Sequence, residues 1–265
     1  MNTATAKIVI KSPREIELMR SAGRVVHEVL MELGRMVQPG MTTAELDARA
    51  EELVRQAGGT PLFKGVRNPQ ARAPFPACLC TSVNEQVVHG IPNARPLKAG
   101  DIVSVDCGVR LRGYCGDAAT TLAVGRLAPM VQNLLAVTQE ALEVAIGATR
   151  PGERWSRVAR LIQECVENGG FSVVREFVGH GIGQDMHEEP KVPNYYDRSQ
   201  RHADFELRPG MTLAIEPMVT AGRPEVRLAD GTGWPVVTKD GSWAAHFEHS
   251  VAVTESGADV LTDGR

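Results

Sequence analysis

Val103-Ser104-Val105-Asp106-Cys107-Gly108-Val109-Arg110-Leu111-Arg112-Gly113-Tyr114-Cys115-Gly116-Asp117 decides how the rest of the chain is read. Apolar and β-branched residues flank Leu111-Arg112-Gly113, the pattern of two strands joined by a tight turn. Centring the turn there pairs Arg110 with Gly113 and sets Asp106 directly opposite Asp117 on one face. Like charges in that position repel, and burying them unpaired costs several kcal/mol. The hairpin therefore asks for a cation. The alternative is a slipped register that leaves both aspartates in solvent near the turn.

With 265 residues and 43% hydrophobic content, the chain can bury one large core or two half-sized ones, and it reads as globular. A net charge of −3 offers no global reason to expect nucleic acid or an anionic membrane as partner. No apolar run approaches the ~18 residues of a membrane span, and Met1 to Lys11 lacks the apolar region of a secretory signal. Cys78, Cys80, Cys107, Cys115 and Cys165 are odd in number and lack C-x-x-C spacing. They argue against a disulfide framework or a thiolate zinc site and fit a reducing cytoplasm.

Two capping-box patterns, Ser12-Pro13-Arg14-Glu15 and Thr42-Thr43-Ala44-Glu45, predict helix starts. The first helix carries Ile16, Met19, Ala22, Val26, Val29, Leu33 and Val37 at helical spacing and ends at Pro39-Gly40; the second runs to Gly58-Gly59. Thr60 to Pro76 reads as an exposed loop, and strand-like text returns at Ala77 to Val83 and at Val87 to Pro92. After the hairpin the same order recurs. A helix is predicted over Met130 to Ile146, and another with Val158, Ala159, Ile162, Cys165 and Val166 ends at Gly169-Gly170.

The recurrence is residue-level in places: Leu97 to Asp106 matches Leu207 to Glu216, and His89-Gly90-Ile91 matches His180-Gly181-Ile182. Chance matching of short Gly-Pro text is the alternative to an internal duplication with a period of roughly 110 residues. On the duplication reading, one domain over 1–265 contains halves at roughly 12–124 and 128–255. A site between the halves draws ligands from both.

Of the seven histidines, His27 within the first helix and His202 in a polar loop read as structural or solvated. The glycine content around His180 and His187 argues for strand and loop rather than helix. Either imidazole could simply bond a backbone carbonyl. Asp106, Asp117, Glu216 and Glu248, however, all lie in β-type text, where a lone Glu is usually exposed. Four carboxylates converging with one imidazole suit two divalent transition metals, Mn, Fe, Co or Zn.

Val87-Val88-His89-Gly90-Ile91-Pro92, Asp106 with Asp117, Gly179-His180-Gly181-Ile182-Gly183, His187-Glu188-Glu189-Pro190, Ile215-Glu216-Pro217-Met218 and Phe247-Glu248-His249 resemble, in order and spacing, the type I methionine aminopeptidases. The resemblance covers roughly Ile8 to Thr262. It implies an α/β chain of α+β type with the pita-bread fold, in which pseudo-twofold halves surround a central antiparallel sheet with helices on its outer face. It also implies removal of N-terminal methionine from nascent polypeptides and peptides whose second residue is small. Two divalent ions per chain are implied as cofactors: Asp117 and Glu248 bridge them, Asp106 chelates one, and His180 with Glu216 holds the other. His89 and His187 match the two catalytic histidines that are not ligands. Cys80 and Trp234 match the methionine pocket, with Phe75 and Phe63 as candidates for its apolar wall.

The same resemblance implies attack of a metal-activated water on the first peptide carbonyl, with Glu216 relaying the proton, His187 facing the oxyanion and His89 facing the amide. A cytoplasmic monomer with transient ribosome contact, and without a specific nucleic-acid or membrane partner, is the expected setting. This chain departs from the family pattern in three places: Val66 to Phe75 is lengthened by about six residues, Met186 precedes His187 where an aromatic is common, and His246 stands where Gln is common. These departures predict altered tolerance of the second residue with the chemistry intact. The competing readings are an X-Pro aminopeptidase or prolidase of the same fold, which typically carries an additional N-terminal domain, and a non-catalytic peptide-binding protein of that fold, which typically lacks the ligands.

Overall fold

Ser12 and Thr42 open the first two helices, α1 (Pro13–Met36) and α2 (Thr43–Gln56), each through a complete capping box. In both, the hydroxyl accepts the N3 backbone N–H and the Glu carboxylate accepts the cap's own N–H at 2.7 Å. The computed structural model describes residues 8–229 and 231–265, so most of the Met1 to Lys11 segment read for a signal lies outside the described residues. The strands β1 (Thr60–Pro61), β2 (Leu79–Val83), β3 (Gln86–Val88), β4 (Ile102–Leu111) and β5 (Tyr114–Ala123) follow.

A second pair of helices, α3 (Pro129–Ala148) and α4 (Trp155–Asn168), leads into β6 (Ser172–Val173), β7 (Gly179–Gly181), β8 (Glu188–Val192) and a 3-10 turn over Arg198–Ala203 that contains the backbone of His202. The chain closes with β9 (Thr212–Ile215), β10 (Met218–Thr220), β11 (Val226–Leu228), β12 (Val236–Thr238), β13 (Ala244–His246), β14 (Glu248–Val253) and β15 (Ala258–Val260).

The main sheet is antiparallel throughout, in the order β1-β4-β5-β14-β9-β7-β8, with β2 also on β4 and β15 also on β14. Two smaller sheets, β13-β10-β6 and β11-β12-β3, flank it. Alternation along the strands separates two faces. Val103, Val105, Cys107 and Val109 of β4 pack with Val26, Val29, Leu33 and Leu46 of α1 and α2; Leu213, Ile215 and Val251 pack with Leu134, Ala141 and Ile162 of α3 and α4. Asp106 lies between those apolar positions and points the other way. Helix α1 approaches β5 closely enough that a Cβ on Gly116 would stand 2.7 Å from the backbone nitrogen of Gly23. Among the described residues no helix is long and apolar enough to cross a membrane.

The hairpin differs from its predicted register. Leu111 pairs with Tyr114 across the two-residue turn Arg112-Gly113, whose φ angles are 51° and 85°. That geometry belongs to a primed turn, which matches the right-handed twist of the strands and needs a residue tolerant of positive φ. Asp117 therefore faces Gly108, and Asp106 faces Ala119. The displacement is two residues, so both carboxylates stay on one face as diagonal neighbours, and the solvent-exposed alternative is excluded because Asp117 is buried.

The Thr60 to Pro76 segment is also more than an exposed loop. Thr60 and Pro61 pair with β4, and Phe63 and Phe75 are buried, while Arg67, Pro69, Arg72, Pro74 and Pro76 face solvent. The two aromatics turn inward because they pack with Ala77, Cys80 and Trp234 in one buried cluster.

Candidate metal centre

Sheet order assembles the site. Asp106 on β4, Asp117 on β5, Glu248 at the start of β14, Glu216 directly after β9 and His180 on β7 come from five strands adjacent in that order. Register puts them on a common face: Ala119 pairs with both Asp106 and Glu248, Asp117 lies two residues along β5 from Ala119, and His180 pairs with Ala214, two residues before Glu216.

Ligating atoms of Asp117, His180 and Glu248 lie within 4.8 Å of one another, as do those of Glu216, His246 and Glu248. The Nε2 of His180 is 3.7 Å from Oε1 of Glu216. Its Nδ1 lies 2.9 Å from the carbonyl oxygen of Gly181; donating there leaves the Nε2 lone pair facing the carboxylates. Asn194, itself fully buried, donates to the backbone oxygen of Glu216 at 3.0 Å and braces that corner.

Burial, reinforced by mutual repulsion, pushes Asp117 up to about 8 and lifts Asp106 and Glu248 well above the carboxylate range; burial alone takes Glu216 to about 8. Burial acts oppositely on the imidazoles and takes His89, His180 and His246 down to about 4, so they are neutral and supply no counter-charge. Asp106 Oδ1, Asp117 Oδ1, Glu248 Oε1 and His246 Nε2 are buried without a hydrogen-bond partner. Orphaned buried oxygens beside neutral nitrogens are the donor set of a hard-to-borderline divalent cation, and the residues present fit one.

The remaining predicted residues surround the same cavity, about 1010 Å³ in volume. His187 sits at its mouth, its ring edge-on to His180 with centroids 4.4 Å apart. His89 adopts φ 60°, unusual for a non-glycine residue, and packs against Phe177 and Trp234 at 5.5 and 6.3 Å. Phe63, Phe75, Cys80 and Trp234 form one buried cluster beside the carboxylates, with Phe75 edge-on to Trp234 at 5.1 Å. Cys80 pairs with Asp106 across β2 and β4; burial and the neighbouring carboxylates raise its thiol, so it stays protonated as a small apolar lining group.

Sequence reasoning noted His246 only as a departure from the family pattern, with no place among the ligands, and passed over three further residues that shape this site: Asn194, Ser250 and Thr121. His246 was legible in principle, because it stands two residues before Glu248 and the period of a strand puts such residues on one face. The other three carry no motif; they act through hydrogen bonds across strands distant in sequence.

A family model described as Metallopeptidase family M24 matches residues 17–255. The chain belongs to metallopeptidase family M24. Within M24, Methionine aminopeptidase 1 of Bacillus subtilis (strain 168) is 48% identical over 256 residues, 96% of this chain and 99% of that relative. The crystal structure of the methionine aminopeptidase from Thermotoga maritima superposes with a TM-score of 0.90 at 44% identity, covering 97% of this chain and 99% of that one. A Xaa-Pro dipeptidase from Bacillus anthracis matches with a TM-score of 0.73 at 20% identity and 62% coverage of its length, which is a likeness of fold alone. This M24 chain thus has the pita-bread architecture and the divalent-metal dependence of its family, and the resemblance to methionine aminopeptidases is borne out.

Proposed function

We propose that this M24 metallopeptidase is a methionyl aminopeptidase, a metal-dependent exopeptidase hydrolase that removes N-terminal methionine from polypeptides whose second residue is small. Near-full-length similarity to methionine aminopeptidases supports the activity. The observation that carries the site reading is the convergence of Asp106, Asp117, His180, Glu216 and Glu248 beside a pocket walled by Phe63, Phe75, Cys80 and Trp234. Two divalent ions would be held by these five residues, with Asp117 and Glu248 serving both, Asp106 serving one, and His180 with Glu216 serving the other. We read the whole chain as one catalytic domain, with the 12–124 half supplying two of these ligands and the 128–255 half supplying three.

Divalent ions bound there supply Lewis-acid polarisation of the scissile carbonyl and lower the pKa of the attacking water. Glu216 accepts the proton of that water as its oxygen bonds to the carbonyl carbon, then delivers it to the amide nitrogen as the C–N bond breaks. His187 donates to the carbonyl oxygen as negative charge develops, and His89 hydrogen-bonds the scissile amide. The apolar cluster takes the methionine side chain, and steric exclusion at the rim restricts the second residue. The lengthened Val66 to Phe75 loop alters that restriction.

The partner is the N-terminus of a nascent chain, met by transient contact with the ribosome. We read the protein as a cytoplasmic monomer; five unpaired cysteines support a reducing compartment.

The test is release of free methionine from Met-Ala-Ser and of alanine from the X-Pro peptide Ala-Pro-Ser, with metal-stripped protein and after addition of Mn, Fe, Co or Zn. Metal-dependent methionine release, lost in Asp117→Asn, is the expected result. Cleavage of an X-Pro peptide alone would move the assignment to the prolidase branch, and metal uptake without cleavage to a peptide-binding role.

A further inference from the structure

Glu216 stands between two imidazoles. Its Oε1 lies 3.7 Å from His180 Nε2, and its Oε2 lies 3.6 Å from His246 Nε2. His246 Nε2 is also 4.0 Å from Glu248 Oε2, and these ligating atoms of Glu216, His246 and Glu248 form a compact triad. We propose that His246 is itself a metal ligand, joining Glu216 and Glu248 around one of the divalent ions, so that the centre carries two imidazole donors instead of one. The inference rests on the metal-centre reading above and goes beyond the ligand set given there.

Three observations carry it. First, the Nε2 of His246 is buried and has no hydrogen-bond partner. A native interior leaves such a nitrogen unpaired only for a reason, and a bound cation is one. Second, the separations suit shared coordination better than hydrogen bonding. At 3.6 and 4.0 Å both contacts exceed hydrogen-bond length. Two donors each about 2.0–2.2 Å from a common ion stand roughly 2.8–3.6 Å apart at octahedral to tetrahedral angles, so the 3.6 Å contact already fits and the 4.0 Å contact needs to close by about 0.4 Å. The His180 to Glu216 distance, between two residues already assigned as ligands, is nearly the same.

Third, the backbone that carries the imidazole is held in place. Thr121 Oγ1 accepts the backbone N–H of His246 at 2.9 Å and lies 2.9 Å from its carbonyl oxygen, to which the hydroxyl donates, so one side chain clamps both backbone groups. Thr121 is fixed in turn by Ser104 Oγ at 2.9 Å. His246 and Glu248 are two residues apart on strand-like backbone, which directs both side chains into the cavity. A second imidazole in an otherwise oxygen-rich set shifts the preference of that ion toward Zn and Co relative to Mn.

The measurement is a two-bond 1H–15N correlation spectrum of chain labelled with 15N in its histidines, titrated with diamagnetic Zn to saturation, with bound Zn counted by native mass spectrometry. Seven histidines are present, and Zn is expected to move the Nε2 signals of two of them, His180 and His246, into the metal-bound range. His246→Gln should remove one shifted signal while the remaining spectrum keeps the dispersion of a folded chain. Should that variant fail to fold, His180→Asn makes the same assignment, leaving His246 as the single shifted signal. If only His180 shifts in the wild-type spectrum while Zn still binds, His246 is no ligand and the metal centre stands without it. Failure to bind Zn at all would overturn the metal-centre reading itself.

Discussion

The hydroxyl of Ser250 closes a ring with the backbone of Asp117, accepting its N–H at 3.0 Å and donating to its carbonyl oxygen at 2.8 Å. Strand pairing between β14 and β5 involves only Glu248 with Ala119 and His249 with Ala118, so the serine continues the join by one further step. Ser250→Ala would leave both Asp117 backbone groups buried and unpaired, at a cost of about 1–3 kcal/mol. Urea denaturation of the metal-free variant should show that loss, together with weaker metal retention, because the join also aligns Asp117 with Glu248. Unchanged stability would mean that water replaces the hydroxyl.

The metal-free protein should lose stability between pH 6.5 and 8. Asp117 and Glu216, at about 8 when folded, ionise near 4 when unfolded, so between those values the folded chain holds protons the unfolded chain has released, and stability falls as pH rises. His89, His180 and His246, depressed to about 4 from 6.5, act in the opposite sense; the stability they contribute is complete above 6.5 and is lost as pH falls through 4. The two sets offset each other below 6.5, and only the carboxylates titrate above it. Thermal melts at pH 6.5 and 8 should therefore show a falling Tm, flattened in Glu216→Gln and abolished by saturating divalent ion.

His187 and His89 line the cavity outside both compact groups of ligating atoms, and in the proposed mechanism they act on the substrate and hold no metal. His187→Ala is expected to lower kcat by about 10²–10³-fold, the usual effect of removing one donor to a developing oxyanion. Bound metal, read by mass spectrometry, should remain at the wild-type level. Loss of metal from this variant would transfer His187 to the ligand set.

The long loop is tied to the pocket wall through Gly233. Asn68 Nδ2 donates to Gly233 O at 3.2 Å, and Arg72 N donates to Thr232 O at 3.0 Å. Gly233 has φ 81°, and a Cβ there would meet Gln70 O at 2.4 Å. Gly233→Ala should displace the loop and with it Trp234. KM for Met-Ala-Ser is expected to rise several-fold with kcat changed less than about two-fold, since binding and not chemistry is disturbed. A series of peptides varied at the second residue should shift in the same variant; a profile identical to wild type would show that the loop does not shape the rim.

Local chemistry made much of this protein legible from residues alone. Both capping boxes act within four consecutive residues, so Ser12 and Thr42 announce α1 and α2 wherever those helices pack. The hairpin and the facial placement of Asp106 and Asp117 follow from the two-residue period of a strand, which survives even a register displaced by two. The ordered motifs around His89, His180, His187, Glu216 and Glu248 identified the family because each carries chemistry in a short window.

What only the tertiary structure decided lies between segments. The turn at Arg112-Gly113 chose its register through strand twist, which residue types alone do not report. Phe63 and Phe75 left a loop-like stretch for the interior because Trp234, far along the chain, completes their cluster. The sequence determined which side chains were available for a metal centre. The order β4-β5-β14-β9-β7, and the clamps that Ser250 and Thr121 place across it, decided which of them meet, since hydrogen bonds between distant strands leave no periodic trace in the sequence.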